Sequence, residues 1–181
     1  FRRKYMGIHE RLEGLVYELT SNNFCEPMIL PKGSRVFAGI DFGFAEGHEF
    51  ALLVMAVDPA GHRYVLSDFK QSGLDPVAQV QACMMKQKVF NIEQFYCDPA
   101  RPDMIALMNK SGLRAGGFHI GHENYKSIMP GVSYIQSMIR EGRLQMFRGG
   151  CQELEDELET YHWPEDNEGN VKKEEPVKTN D

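Results

Sequence analysis

Two aspartates stand at matching breaks between apolar and polar sequence. Val36 to Ile40 is a short apolar run that ends in Asp41, with Gly43 two residues on. Phe95 to Cys97 is a second such run, and it ends in Asp98 before Pro99. Each run reads as a short buried strand, and a carboxylate at the end of a buried strand is costly without a positive partner. If these strands are parallel neighbours, both carboxylates project at one sheet edge, the usual place for a site in an open α/β sheet. Like charges so placed repel unless a divalent cation bridges them. Oxygen-only ligands select Mg²⁺ or Mn²⁺ rather than zinc. Such ions activate a water and stabilise a leaving oxygen in phosphodiester hydrolysis. A third carboxylate is expected to complete the coordination.

The elements that must position these two residues follow from patterning. Arg35 to Gly43 is expected as a first strand, and Phe50 to Asp58, nearly all apolar, as a central strand buried on both faces. Asp58-Pro59-Ala60-Gly61 is turn chemistry, so Arg63 to Lys70 returns as the third strand of an antiparallel meander. Asp75-Pro76 supplies an N-cap and a first-turn proline for a helix with Val77, Val80 and Cys83 on its apolar stripe. The strand Glu93 to Cys97 follows, then a helix from Pro102 to Lys110 closed by Ser111-Gly112, with Ile105 and Met108 inward. A short strand within Leu113 to Phe118, a helix over Tyr125 to Glu141, a strand at Leu144 to Phe147 and a helix over Gln152 to Tyr161 complete the pattern. The Tyr125 to Glu141 helix is expected to turn Ile128, Val132, Ile135 and Ile139 inward, with Pro130 and Gly131 interrupting its start. The polar run Glu165 to Asn170 reads as a late hairpin tip, and residues 1–34 as an ordered lead-in.

Composition bounds the rest. A chain of 181 residues with 42% apolar and 25% charged residues is ordinary for one soluble domain. No apolar run is long enough to span a membrane. The N-terminus, Phe1-Arg2-Arg3-Lys4, has no signal-peptide pattern, and the chain reads as a piece of a longer protein. Cys25, Cys83, Cys97 and Cys151 form no Cys-x-x-Cys pair, which argues for reduced thiols and against zinc or a disulfide framework. The net charge of −6 gives no general support for nucleic-acid binding, although local patches matter more than the sum.

The order of three strands, helix, strand, helix, with Asp41 and Asp98 so placed, resembles the RNase H-like nuclease domain of phage large terminase subunits. The lead-in GLVYELTSNNFCEPMILPKGSRVFAGIDFG, the segment FYCDPARPDMIALMNKSGLRA and the tail YHWPEDNEGNVKKEEPVKTND all carry the likeness. The resemblance implies a mixed α/β sheet, strands one to three antiparallel and the later ones parallel, with helices on both faces and a late β-hairpin. It implies that residues 1–34 lead in from a packaging ATPase domain and that residues 35–181 form the nuclease, lacking a C-terminal helix. By the same likeness Asp181, at the end of Lys178-Thr179-Asn180-Asp181, takes the role of third metal ligand beside Asp41 and Asp98. The implied activity is endonucleolytic cleavage of concatemeric viral double-stranded DNA with two Mg²⁺ or Mn²⁺ ions. The implied partners are that ATPase domain, portal and small terminase, in the host-cell cytoplasm and without a membrane.

Basic residues must meet the DNA backbone near the carboxylates. Arg101, three residues from Asp98, is the first choice, with Lys126, Arg143 and Lys178 behind it. Asp103 reads as the first turn of its helix, and Asp58 and Asp68 as solvated hairpin residues. The six histidines lack metal spacing, and His119 and His122 lie in a Gly-rich stretch. The acidic run Glu153 to Glu159 reads as a solvated helix face that repels DNA. Other readings stay open. Ile40-Asp41-Phe42-Gly43 also looks like the first phosphate loop of actin-like ATPases and sugar kinases, though Asp98-Pro99-Ala100 is not their second Asp-x-Gly loop. Another RNase H-like nuclease, such as a resolvase, and a non-catalytic metal-binding module are the remaining alternatives.

Overall fold

The computed structural model describes residues 14–43, 48–118 and 128–164. One sheet of seven strands organises them, in the order β1-β7-β4-β3-β2-β5-β6. The strands are β1 (Phe24–Cys25), β2 (Arg35–Asp41), β3 (Glu49–Val57), β4 (Arg63–Ser72), β5 (Gln94–Cys97), β6 (Ala115–Gly117) and β7 (Leu144–Phe147). The helices are α1 (Pro76–Phe90), α2 (Pro102–Lys110), α3 (Met129–Arg140) and α4 (Gln152–Thr160). β3 is antiparallel to both of its neighbours, β2 and β4, which makes the meander. The pairs β2–β5, β5–β6, β4–β7 and β1–β7 are all parallel. The mixed sheet is therefore as expected, while the proposed hairpin after Pro164 lies outside the described residues.

Strand alternation divides the interior into two cores. Ala38 and Ile40 of β2, Leu52 and Val54 of β3, and Phe95 and Cys97 of β5 pack with Val80 and Cys83 of α1 and Met104 and Met108 of α2. The other face of the sheet buries Val65 and Met146 with Val132, Met138 and Ile139 of α3 and with Trp163. Leu53 and Met55 of β3, with Leu154 and Leu158 of α4, lean on this second core. Helices thus cover both faces, and β3 contributes to both cores. Among the described residues, no helix is long and apolar enough to cross a membrane.

Local chemistry explains the boundaries. The Asp75 carboxylate accepts the Ala78 amide at 2.8 Å and starts α1 ahead of Pro76. Gly112 adopts a left-handed φ of +84° and ends α2. Gly61, at φ +85°, closes the β3–β4 turn, its amide bonding the Asp58 carbonyl at 3.0 Å.

Three expectations differ in detail. In α1, Val77 is exposed and Gln79, Val80, Ala82 and Cys83 are buried. In α3, Pro130 opens the helix rather than interrupting it, Ile128 and Ile135 are exposed, and Met138 is buried. In α2 the fully buried pair is Met104 and Met108, with Ile105 half-buried.

Asp58 and Asp68 are not simply solvated. Asp58 is buried, accepts the His62 amide at 2.8 Å and contacts its Nδ1 at 3.1 Å. Burial pushes the Asp58 carboxyl up, but these His62 bonds outweigh it and hold it below the usual range. The Asp68 carboxylate accepts the Leu154 amide at 2.8 Å, holding a negative group against the N-terminus of α4.

Residues 14–34 are woven into the sheet. Leu15 bridges to His162, β1 pairs with β7, and Val16 and Tyr17 join the second core. Asn23, 1% exposed, donates to the carbonyls of Ile139 and Leu144 at 3.1 and 3.2 Å and accepts from Thr20.

Candidate metal centre

β2 and β5 run parallel in a register that pairs Gly39 with Tyr96 and Ile40 with Cys97. One step further along, Asp41 and Asp98 are neighbours at the C-terminal ends of adjacent strands, about 4.8 Å apart by strand spacing. Ile40 and Cys97 point into the first core, so the alternation turns Asp41 and Asp98 together onto the opposite face. Both aspartates are exposed. They line a cleft of about 550 Å³ with Gly39, Ile40, Tyr96, Cys97, Pro99 and Phe118.

Each carboxylate is held by the chain around it. Asp41 is flanked by Ile40 and Phe42, both buried in the first core. Beyond it, the Gln79 side chain donates to the Gly43 carbonyl at 3.1 Å and ties this strand end to α1. Gly43 is required for close approach: a Cβ there would lie 2.4 Å from the Glu49 carbonyl carbon. That packing is sufficient reason for the glycine of Asp41-Phe42-Gly43, with no phosphate loop needed. The Asp98 carboxylate accepts the Ala100 amide at 2.9 Å, an Asx-turn that leaves its second oxygen available. The donor set is two carboxylates, hard oxygen ligands suited to Mg²⁺ or Mn²⁺. No cluster of three or more potential metal-ligating residues occurs among the described residues. Asp181, expected as the third ligand, lies outside them, as do Lys126 and Lys178.

Of the expected basic residues, Arg101 and Arg143 are among those described. Arg101 forms a two-pronged pair with Asp103, Nε to Oδ1 at 3.0 Å and Nη2 to Oδ2 at 2.7 Å. This bond from Arg101 holds the Asp103 carboxyl down at about 2. Its guanidinium is thus engaged at the first turn of α2, and it also lies close enough to Asp98 to feel that carboxylate's charge. Arg143 reaches the Gly61 carbonyl and Glu141. It adjoins the β3–β4 turn, where Val57 pairs with Arg35, the opposite end of β2 from Asp41. The seven residues of β2 put about 20 Å between them, so Arg143 is not part of this cleft.

The acidic α4 borders the same face. Lys70 is in register with Ala51, which is in register with Asp41. Lys70 pairs with Glu49 and, at 2.8 Å, with Glu157 of α4. These bonds hold its ammonium well above the usual lysine range despite partial burial.

Sequence reasoning missed Gly39, Tyr96 and Phe118 in the cleft. Tyr96 was recoverable, because it alternates with Phe95 and Cys97 and so shares the face of Asp98.

A protein-family model described as the terminase RNaseH-like domain matches residues 38–179. No curated protein sequence matches the chain. Among solved structures, the P22 large terminase nuclease domain has a TM-score of 0.69 at 21% identity, over 89% of this chain and 84% of that one. The nuclease domain of the large terminase g2p of bacteriophage SPP1, with bound Mn, has a TM-score of 0.68 at 13% identity, over 92% and 91%. A large terminase from a thermophilic bacteriophage, in complex with ATP-gamma-S, has a TM-score of 0.71 at 15% identity. That match covers 92% of this chain but 42% of the thermophilic phage protein, so this chain spans less than half of that relative's length. At these identities the structural likeness establishes the fold, and the family model, matching most of the chain, establishes the rest: the chain belongs to the terminase RNase H-like domains.

Proposed function

We propose that this chain is a metal-dependent endonuclease that cuts concatemeric viral double-stranded DNA during genome packaging. The observation that carries this reading is that Asp41 and Asp98 each follow the Ile40–Cys97 pair of two parallel strands and line one open cleft. The SPP1 relative, a nuclease domain with bound Mn, supports the use of a divalent ion. Asp41 and Asp98 would hold Mg²⁺ or Mn²⁺, two ions in all, with Asp181 as a third ligand. When bound, such ions polarise the phosphate and lower the pKa of water. The protein's own part is positional. The Gln79 clamp and the flanking Ile40 and Phe42 fix Asp41, and the Asx-turn fixes Asp98. The thermophilic phage relative in complex with ATP-gamma-S supports an ATPase domain as a further part of the same polypeptide. Portal and small terminase complete the proposed assembly, in the host cytoplasm.

The test is plasmid cleavage with Mn²⁺ or Mg²⁺ by the wild-type chain, Asp41→Ala and Asp98→Ala. Nicking by wild type alone is expected. Equal nicking by all three, or none by any, overturns the reading, as does cleavage that persists when the metal is chelated.

A further inference from the structure

The face that carries Asp41 and Asp98 is covered unevenly. Over β4 it bears α4, pinned through Asp68 to the Leu154 amide and through Lys70 to Glu157. That helix carries Glu153, Glu155, Asp156, Glu157 and Glu159, a field that repels a phosphate backbone. Over β2 and β5 the same face shows aromatic rings. Phe118 and Tyr96 line the cleft itself and are 56% and 42% exposed. Their centroids lie 6.1 Å apart at 84°, and Tyr96 lies 5.9 Å from Phe37 at 45°. The Arg35 guanidinium sits 5.0 Å from the centre of Phe37 and closes the row. The Phe118 amide bonds the Cys97 carbonyl at 2.9 Å, which fixes this ring beside Asp98. Between the row and Asp41 the surface is bare, since a Cβ added to Gly39 meets nothing within 4 Å.

We propose that Phe118, Tyr96 and Phe37 form a stacking platform for unpaired bases of the DNA strand held at the carboxylates. This inference rests on the nuclease reading and adds a substrate preference to it. A strand leaving the carboxylates is repelled on the α4 side and meets exposed rings on the β5 side. Stacking on aromatic rings is tolerant of sequence, because every base has a π-face. Bases inside an intact duplex already stack on each other, so the platform engages tails, nicks and frayed ends. Phe118 and Tyr96 choose among DNA forms rather than among sequences.

The test measures binding with the metal chelated, so that cleavage plays no part. Fluorescence anisotropy compares a labelled single strand, a blunt duplex and a duplex with a single-stranded tail. Wild type is expected to prefer the single strand and the tailed duplex. Phe118→Ala and Tyr96→Ala are each expected to weaken those two by about tenfold, the loss of one base–aromatic stack, and to leave the blunt duplex unchanged. Phe118→Trp is expected to restore binding, and an unchanged melting temperature establishes that the alanine variants fold. Unchanged affinity for the single strand in both alanine variants overturns the proposal. So does an equal loss on the blunt duplex, or a wild type without preference. Ring-dependent binding by a chain that never cleaves DNA would instead retain the platform and remove the nuclease reading.

Discussion

Gly39 separates what the fold needs from what the site needs. It lies in the middle of β2, on the face of Asp41, and its in-register neighbour is Tyr96. Its φ is not in the left-handed region, and an added Cβ meets nothing within 4 Å. A strand glycine with room around it lowers stability, by about 0.5–1 kcal/mol relative to alanine. A β-branched residue adds strand propensity on a scale of about 1 kcal/mol. Gly39→Val is therefore expected to stabilise the metal-free chain by about 1 kcal/mol, which raises the melting temperature by about 2–4 °C. The same valine occupies the cleft between Asp41 and Tyr96. A substrate displaced by about 1 Å loses about 10²-fold in rate, so plasmid cleavage is expected to fall at least that far. Differential scanning fluorimetry in chelator and a cleavage time course in Mn²⁺ read the two effects. A fall of several degrees would mean the cleft is not open above Gly39. A stable variant that cleaves at the wild-type rate would mean DNA does not approach the carboxylates across this face.

Gly43→Ala is the opposite case: its Cβ would meet the Glu49 backbone at 2.4 Å, so a loss of about 1–3 kcal/mol is expected in denaturant titration. Asn23→Ala removes its bonds to the Leu144 carbonyl and to the Ile139 carbonyl, which keeps the Gly142 amide, and is expected to cost about 1–2 kcal/mol by the same measurement. Burial pushes the thiols of Cys83 and Cys151 up to about 12 and that of Cys97 to about 11, from the usual 9. The unfolded thiols ionise first, so this contribution to stability is intact below pH 9 and is lost as the pH rises towards 11–12. The melting temperature is expected to drop across that window, and Ellman's reagent at neutral pH to leave all three thiols unmodified until the chain unfolds.

Much of the fold is legible because single residues dictate local geometry. Asp75-Pro76 can hardly do anything but start a helix, and α2 and β7 occupy the predicted spans. Less legible is which side of a helix faces inward, because that depends on what lies beneath it. In α1 apolar and polar residues are not segregated to separate faces, and the buried stripe includes Gln79, which no hydrophobic count selects. Its side-chain NH2 donates to the nearby Leu74 carbonyl and to the Gly43 carbonyl, a partner that only the tertiary structure supplies, while its oxygen is buried without a partner. Asp58 and Asp68 follow the same logic: their sequence context reads as turn and surface, and their partners come from the folded hairpin and from α4.

The site divides along the same line. Asp41 and Asp98 could be found because a strand that ends in an acid is a local signal, and parallel pairing then brings two such ends together. Sequence distance put Arg101 beside Asp98, whose charge it feels, but did not reveal its partner. Arg101 is three residues from Asp98, yet its guanidinium closes on Asp103, two residues away, as a short fork allows. Arg143 carries the same charge but sits at the other end of the sheet, fixed there by the Gly61 carbonyl. The cleft is lined by the rings of Tyr96 and Phe118, and the acidic α4 stands further along the same face, over β4. A polyanion at Asp41 and Asp98 meets repulsion from α4 and no unengaged arginine at Arg101. On the described face, contacts that do not depend on protein charge therefore add to whatever the metal ions supply. On that face Phe118 and Tyr96 can decide which DNA stays bound, with the metal ions present or chelated.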